Sequence, residues 1–449
     1  MATWMSPADS VWYRGENPMN PMTISAILWF DRPLDPAWLK TVIQRRVLDA
    51  HPVFMQRVVD SHLPGVPARW ETVMDFDLDD HLRFVDLPAP GDHPTLEAAC
   101  SAERTRKLDR SGPLWSITVY EGYRGDQCAV HARIHHSIGD GLALMQLLLG
   151  LTDEQGDDDG SWAQPDHLRE GLALARHAAA ATVGFVRHPG RIPGAVRDVA
   201  GAVRWGGRLL APTVAEHSPL QGRPSGVKRM SWDPDGLPLA DLKAVAKAAG
   251  ATVNDLLLSI MAGALHTYLD EQDALVDDVL MMVPVNLRRP GAPLPAHLGN
   301  RIGLLPVLLP VRTSDPDERL SLVQERILRL KNSPAPAVSR ALIMGTSMAT
   351  PGVERAIHRL NQWFSTGVIT NVPGPTVPLH LSGARLLGTI GWGGMTGHLN
   401  LGAAFISLDG RVFAGLVTDE AITPDPDRLL QMVRDEWDRV VTPGVVAAG

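Results

Sequence analysis

Apolar and polar positions along this chain follow two periods, and the switches between them mark its elements. The run MTISAILWF from Met22 to Phe30 is β-branched and aromatic, which predicts a strand. Asp35 and Pro36 then supply an N-cap and a first-turn proline, after which Leu39, Val42, Ile43 and Val47 fall on one helical face. Further strands are predicted at Ser116–Tyr120 and Cys128–Ile134, and the apolar run Leu142–Leu149 reads as a buried helix. Between that strand and helix stands the heptapeptide HHSIGDG, His135 to Gly141, at a strand-to-helix junction.

After Leu151 the periodicity lapses. TDEQGDDDG is acidic and turn-rich, and Arg169–Leu210 is rich in Ala, Gly and Arg, with arginines at 169, 176, 187, 191, 197, 204 and 208 against only Glu170 and Asp198. This predicts a linker over 151–225 between an N-terminal domain (1–150) and a C-terminal domain (226–449). The arginine-rich stretch has two readings: solvated crossover helices broken near Pro189–Pro193, or a segment that meets an anionic lipid surface. Periodicity resumes with a helix at Leu239–Ala249 stopped by Gly250, and a second helix capped by Thr252 with Asp255 as an acidic capping-box partner. Strands at Val279–Val285 and Ile302–Leu309, a helix at Pro316–Lys331 and a C-terminal helix from Asp425-Pro426 follow, the last carrying Leu429, Leu430, Val433, Trp437 and Val440 on one face. Strands and helices mix throughout, which predicts an α/β class with mixed sheets.

Composition narrows the picture. At 449 residues the chain exceeds one ordinary core, and 45% hydrophobic with 20% charged residues describes folded globular domains. A net charge of -8 argues against nucleic acid as the partner. Cys100 and Cys128 are too few for a disulfide framework and fit a reducing compartment, so the expected location is cytoplasmic. No basic-then-apolar leader and no run of about 18 apolar residues is seen, so no spanning segment is expected.

Among candidate motifs, GTSMA (345–349) falls short of a nucleophile elbow, GWGGMTG (391–397) misses the dinucleotide fingerprint by one position, and no P-loop or HExxH occurs. His131, His135 and His136 with Asp140 are the residue types of a metal site. The competing reading is general base catalysis by one histidine, since an imidazole with a pKa near 6.5 accepts a proton at neutral pH. On a turn the paired histidines point apart, one toward a substrate tunnel and one inward. Asp140 then orients the loop, and Gly139 and Gly141 permit a tight entry to the helix.

HHSIGDG matches the HHxxxDG signature of the CoA-dependent acyltransferase superfamily, and the chain resembles one branch of it, the bacterial wax ester synthase/diacylglycerol acyltransferases. The resemblance extends over nearly the whole chain: Met5-Ser6-Pro7-Ala8-Asp9, Glu16 and Asn20-Pro21-Met22 near the N-terminus, Pro113-Leu114-Trp115, Asn254-Asp255, and Thr370-Asn371-Val372-Pro373-Gly374-Pro375. It departs at GHLNLGAAFISLDG (397–410), which lacks the family's tyrosine. The resemblance implies two chloramphenicol-acetyltransferase-like subdomains with a substrate tunnel between them. It implies His136 as the general base, His135 as its support, and Asp140 as a structural aspartate held by an arginine, for which Arg288 is the candidate. Asn254 is either an oxyanion donor or a loop cap, whereas Asp255, Glu16, Gly141 and Asn371 are supporting architecture. The implied reaction moves a long acyl chain from acyl-CoA, as co-substrate, to a fatty alcohol or diacylglycerol, with no cofactor or metal. A peripheral membrane or lipid-inclusion surface is the expected setting. The rival readings are an acyl donor held on a carrier protein, and a lipid-binding protein that keeps the fold without catalysis.

Overall fold

A computed structural model of the chain describes residues 2–60, 66, 68–153, 218–286, 298–300, 302–333, 365–395, 397 and 399–448. The arginine-rich stretch, GTSMA and Arg288 lie outside these described residues, so the readings placed on them stay expectations.

The described strands, numbered in chain order, form three sheets. The smallest joins β1 (Ala2–Trp4), β3 (Gln56–Val59) and β4 (Arg69–Thr72). The N-terminal sheet runs β13-β14-β2-β7-β6-β5, comprising β2 (Thr23–Phe30), β5 (Leu82–Asp86), β6 (Trp115–Tyr123), β7 (Gln127–His135), β13 (His380–Leu381) and β14 (Ala384–Trp392). The C-terminal sheet runs β11-β10-β12-β15-β16-β8, comprising β8 (Lys228–Trp232), β10 (Asp278–Asn286), β11 (Ile302–Pro310), β12 (Gly367–Val372), β15 (Leu401–Leu408) and β16 (Arg411–Asp419), with β9 (Leu237–Pro238) paired to β16. Both larger sheets mix parallel and antiparallel neighbours, as expected: β5 runs parallel to β6, and β12 parallel to β10 and β15.

The helices are α1 (Pro7–Arg14), α2 (Pro36–Ile43), α3 (His93–Thr105), α4 (Gly141–Leu151), α5 (Leu239–Ala248), α6 (Val253–Asp270), α7 (Pro316–Lys331) and α8 (Pro426–Ala448). Their starts are fixed by side chains that satisfy otherwise orphaned amides. Asp35 accepts from Ala37 and Trp38 N–H groups, and Thr252 and Asp255 close the reciprocal capping box. Past Ile43, α2 widens into a π-helical turn, Gln44–Leu48. The length and apolarity of α6 come from burial: nearly all of it from Leu256 to Leu265 is inside, packed against α7, α8 and the C-terminal sheet. Among the described residues no single helix is long and apolar enough to cross a membrane.

The two halves are not separate bodies along the chain. β13 and β14 come from late sequence yet extend the N-terminal sheet, with Ala26 opposite Gly391 and Leu28 opposite Thr389. The division at 226 therefore assigns to the C-terminal half a strand pair that the N-terminal sheet owns. In return, α3 covers the edge of β8. Its Glu97, Ser101 and Thr105 side chains accept from the backbone N–H groups of Trp232, Met230 and Lys228 at 2.8, 2.9 and 2.9 Å. Residues one helical turn apart meet alternate strand residues, which protects an otherwise open sheet edge.

Candidate active site

HHSIGDG occupies the end of β7 and the turn into α4. Because strand side chains alternate, the adjacent histidines separate. His135 is 1% exposed and packs inward beside Tyr13. His136 borders a cavity of about 380 Å³ enclosed between the N-terminal sheet, α2, α4, α6 and the C-terminal sheet.

Three contacts hold His136, two of them on its ring. The Trp12 indole stacks on it with centroids 4.4 Å apart and planes 15° apart. Its backbone N–H donates to Met22 O at 2.7 Å. Its Nδ1 lies 2.9 Å from Asn300 Oδ1. Asn300 Nδ2 donates to Asp9 Oδ1 and to His136 O, each at 2.7 Å, so Oδ1 is the amide's acceptor and Nδ1 carries the hydrogen. Nε2 is then the basic nitrogen. It faces the glycine run after β14, where a Cβ placed on Gly393 would lie 3.9 Å away. Burial lowers the His136 pKa from 6.5, against the opposing pull of its hydrogen bonds and the Asp140 charge, so the ring is neutral at pH 7.

Asp9, which orients Asn300, also accepts from Ser6 Oγ at 2.5 Å and Asn300 N at 3.0 Å; burial raises its pKa and these bonds oppose the rise. An Asp9–Asn300–His136 relay results. Asp9 stands in the N-terminal MSPAD motif, whereas Trp12 and Asn300 belong to none of the motifs that carry the resemblance. Asn300 carries no local signal beyond the preceding Gly299, because it reaches His136 from 164 residues away.

His135 Nδ1 accepts from Ser137 N at 3.1 Å, so its Nε2 bears the hydrogen and stands 4.0 Å from Glu16 Oε1. Burial pushes its pKa down to about 3. Glu16 accepts from Met22 N and from Arg110, at 3.2 and 2.8 Å, and Leu114 O accepts from His135 N. Glu16 and the Pro113–Trp115 segment thus brace the backbone of both histidines. Asp140 is wholly buried and caps α4 by accepting from Ala143 N at 3.0 Å.

The two glycines do something other than expected. Neither Gly139 nor Gly141 adopts a positive φ, so neither is there for a tight turn. A Cβ on Gly139 would come 3.1 Å from Leu298 Cβ, and Gly139 bridges Gly299. Its bareness lets the segment carrying Asn300 cross close to the motif. Gly141 opens α4 at the cavity.

Asn254 lies in the first turn of α6 and borders the cavity; Thr252 and Asp255 do the capping, so Asn254 is not the cap. Asn371, on β12, also borders the cavity. In the segment after it, a Cβ on Gly374 would approach Ser407 O to 2.1 Å, which only glycine avoids. The glycine run at 391–394, dismissed as a dinucleotide fingerprint, forms cavity wall. Its position is held by Arg104, 2% exposed, which donates to Thr23 O at 2.7 Å and Gly393 O at 2.8 Å. His131, grouped above with the metal-type residues, points to the opposite side of the sheet, where its Nδ1 is 2.9 Å from Glu103.

Comparison with known proteins shows the family of the chain. Residues 5–257 match the model of the wax ester synthase/diacylglycerol acyltransferase catalytic domain, and residues 298–440 that of the C-terminal domain of the same family. The chain is 30% identical over 405 residues to a Mycobacterium tuberculosis protein named as a diacylglycerol O-acyltransferase, covering 86% of this chain and 87% of that protein. A second so-named protein of that organism, tgs1, is 29% identical over 84% of this chain and 82% of its own length. Among solved structures, a wax ester synthase/diacylglycerol acyltransferase from Marinobacter aquaeolei VT8 superposes with a TM-score of 0.70 at 24% identity, over 99% of this chain and 100% of that one. The first condensation domain of the calcium-dependent antibiotic synthetase shares the fold with a TM-score of 0.60 at 17% identity, over 98% of this chain and 96% of that one.

Proposed function

Because this chain belongs to the wax ester synthase/diacylglycerol acyltransferase family and is an acyltransferase, we propose that it moves a long-chain acyl group from acyl-CoA to the hydroxyl of a diacylglycerol or fatty alcohol, with His136 as the general base. The observation that carries the mechanism is the His136 ring, stacked on Trp12 and tied through Nδ1 to Asn300, with Nε2 directed to an apolar cavity.

In this reading Nε2 takes the proton of the acceptor hydroxyl as its oxygen attacks the thioester carbonyl. The C=O electrons move onto oxygen, the tetrahedral adduct collapses with cleavage of C–S, and the imidazolium returns the proton to the CoA thiolate. The thioester is already activated, so a positioned base and a donor to the oxyanion suffice to lower the barrier. Asn254, which borders the same cavity and is free of capping duty, is the side chain assigned to that donor role. Asp9 and Asn300 act as positioning residues, holding one tautomer and one orientation of the base.

The test is turnover of radiolabelled palmitoyl-CoA with dioleoylglycerol and with hexadecanol, by the parent and by His136→Gln. Ester formation by the parent and its loss in the folded variant supports the assignment. Near-parental turnover by His136→Gln at saturating acceptor overturns His136 as the base.

A further inference from the structure

The cavity floor is uneven, and the strand register shows how. Gly391 is paired with Ala26, Ala26 with Ala132, and Ala132 with Ile117, so these four stand in one row across β14, β2, β7 and β6. The rows on either side are larger: Ile24 with Ile134, and Leu28 with Val130. All of these residues border the cavity.

Ala26 and Ala132 sit in the two central strands beneath helices, yet neither is fully buried, so the roof does not fill the space above them. A Cβ on Gly391 would lie 3.6 Å from Ala26 Cβ, which makes the small residues contiguous. They form a trough across the strands, walled by Ile24 and Ile134 on one side and by Leu28 and Val130 on the other. One end begins at the glycine run beside His136 Nε2. The other reaches β6, where Trp115 donates its indole N–H to Phe54 O at 2.7 Å and meets the Phe54 ring edge-on.

We propose that the Gly391–Ala26–Ala132 row seats one alkyl chain of the substrates and gauges its length. The inference rests on the acyl-transfer reading above and adds which surface measures the chain. Three strand spacings of about 4.8 Å give a trough of about 14 Å. An extended chain advances about 1.3 Å per methylene, given C–C bonds of about 1.5 Å, so about eleven methylenes fit between the reacting end and β6. A leucine at 132 blocks the trough two strand spacings from its Gly391 end; an alanine at 117 opens the far end. Acyl donor and fatty-alcohol acceptor offer the same alkyl chemistry, so the experiment must vary them separately.

The experiment measures kcat/KM for the parent, Ala132→Leu and Ile117→Ala with C8, C12 and C16 acyl-CoA at fixed acceptor, and with C8, C12 and C16 alcohols at fixed donor. In one of the two series, the C16 to C8 ratio is expected to fall about 30- to 100-fold in Ala132→Leu, the loss that goes with turning a few methylenes out of the trough. In the same series Ile117→Ala, which opens the far end of the row, is expected to shift the optimum toward longer chains, which keeps the test open should Ala132→Leu fold poorly. A ratio within threefold of the parent in both series for either folded variant overturns the proposal. A parent protein inert toward every acyl-CoA counts against the acyl-transfer reading instead; displacement of a fluorescent fatty acid by C8 to C16 acids in the same variants then reads the gauge directly, and unchanged length dependence there overturns it.

Discussion

The two faces of the N-terminal sheet are built by the same strands and are opposite kinds of surface. Under α3 the face is filled and polar. His131 meets Glu103 at 2.9 Å, Glu103 also accepts from Thr118 and Arg83, each at 2.9 Å, and Arg133 and Ser25 pair across β7 and β2. Burial alone would raise the Glu103 pKa, yet the hydrogen bonds from His131 and Thr118 hold it at about 2, a carboxylate beside a neutral imidazole. The other face, made by the intervening residues, is apolar and hollow. The difference shows how a fold keeps an internal cavity: one side of a sheet carries the packing and hydrogen bonding that fix its shape, so that the other can stay open. His135 belongs to the packed interior and His136 to the hollow, one residue apart.

The largest effect expected from breaking this contrast is on the hollow side. His136→Ala removes the proposed base and should lower kcat by about 100- to 10,000-fold while circular dichroism reports an intact fold. On the filled side the prediction reverses. Glu103→Ala leaves His131 and Thr118 buried without their acceptor and should cost about 2–3 kcal/mol of stability, read as a lower urea midpoint. A Glu103→Ala protein that lost activity without losing stability would show that α3 serves the chemistry directly.

A smaller effect is expected where the relay enters from the C-terminal half. Asn300→Ala frees the His136 Nδ1 and should lower kcat about 10- to 100-fold, with a lesser change in KM. Its hydrogen bond favours the protonated ring, so its removal lowers the His136 pKa further, and the acidic limb of the kcat/KM profile should move to lower pH. A limb that stays in place would make Asn300 a packing residue only.

The remaining effects concern pH. Burial depresses the His136 pKa, so the parent's acidic limb should lie below 6.5. His135, held at about 3, links to stability with the same sign. Below pH 6.5 the unfolded chain binds a proton that the folded chain refuses until about pH 3, so stability falls as pH drops through that window, by up to about 1.4 kcal/mol per pH unit. Melting temperature against pH checks this, and His135→Gln should flatten the curve.

Much of the architecture was legible because its signals are local. Asp35-Pro36, Thr252 with Asp255, and Asp425-Pro426 mark helix starts within a turn of where they occur, and the strands at β2, β6, β7, β10 and β11 follow from short apolar runs. The later strands β12, β14, β15 and β16 carry a weaker signal, although their residues lie in plain apolar stretches: glycines at 367, 388, 391, 402 and 415 break the β pattern. These glycines admit neighbours that only tertiary packing reveals, such as the Trp29 ring that a Cβ on Gly388 would strike at 2.2 Å.

The sequence by itself determined that two histidines stand at a strand-to-helix junction, that parity sends them apart, and that Asp140 can close the first turn of the following helix. Those are properties of residues within four positions of one another, governed by backbone geometry and capping. Only the tertiary structure decided which histidine meets the cavity, that Asn300 and Asp9 orient it, and that Gly139 makes room for the crossing segment. It alone aligned Ala26, Ala132 and Gly391 into one trough, with residues from three distant segments brought side by side by sheet register. Register and interlobe contact depend on how whole faces pack, and no short window of sequence contains that information.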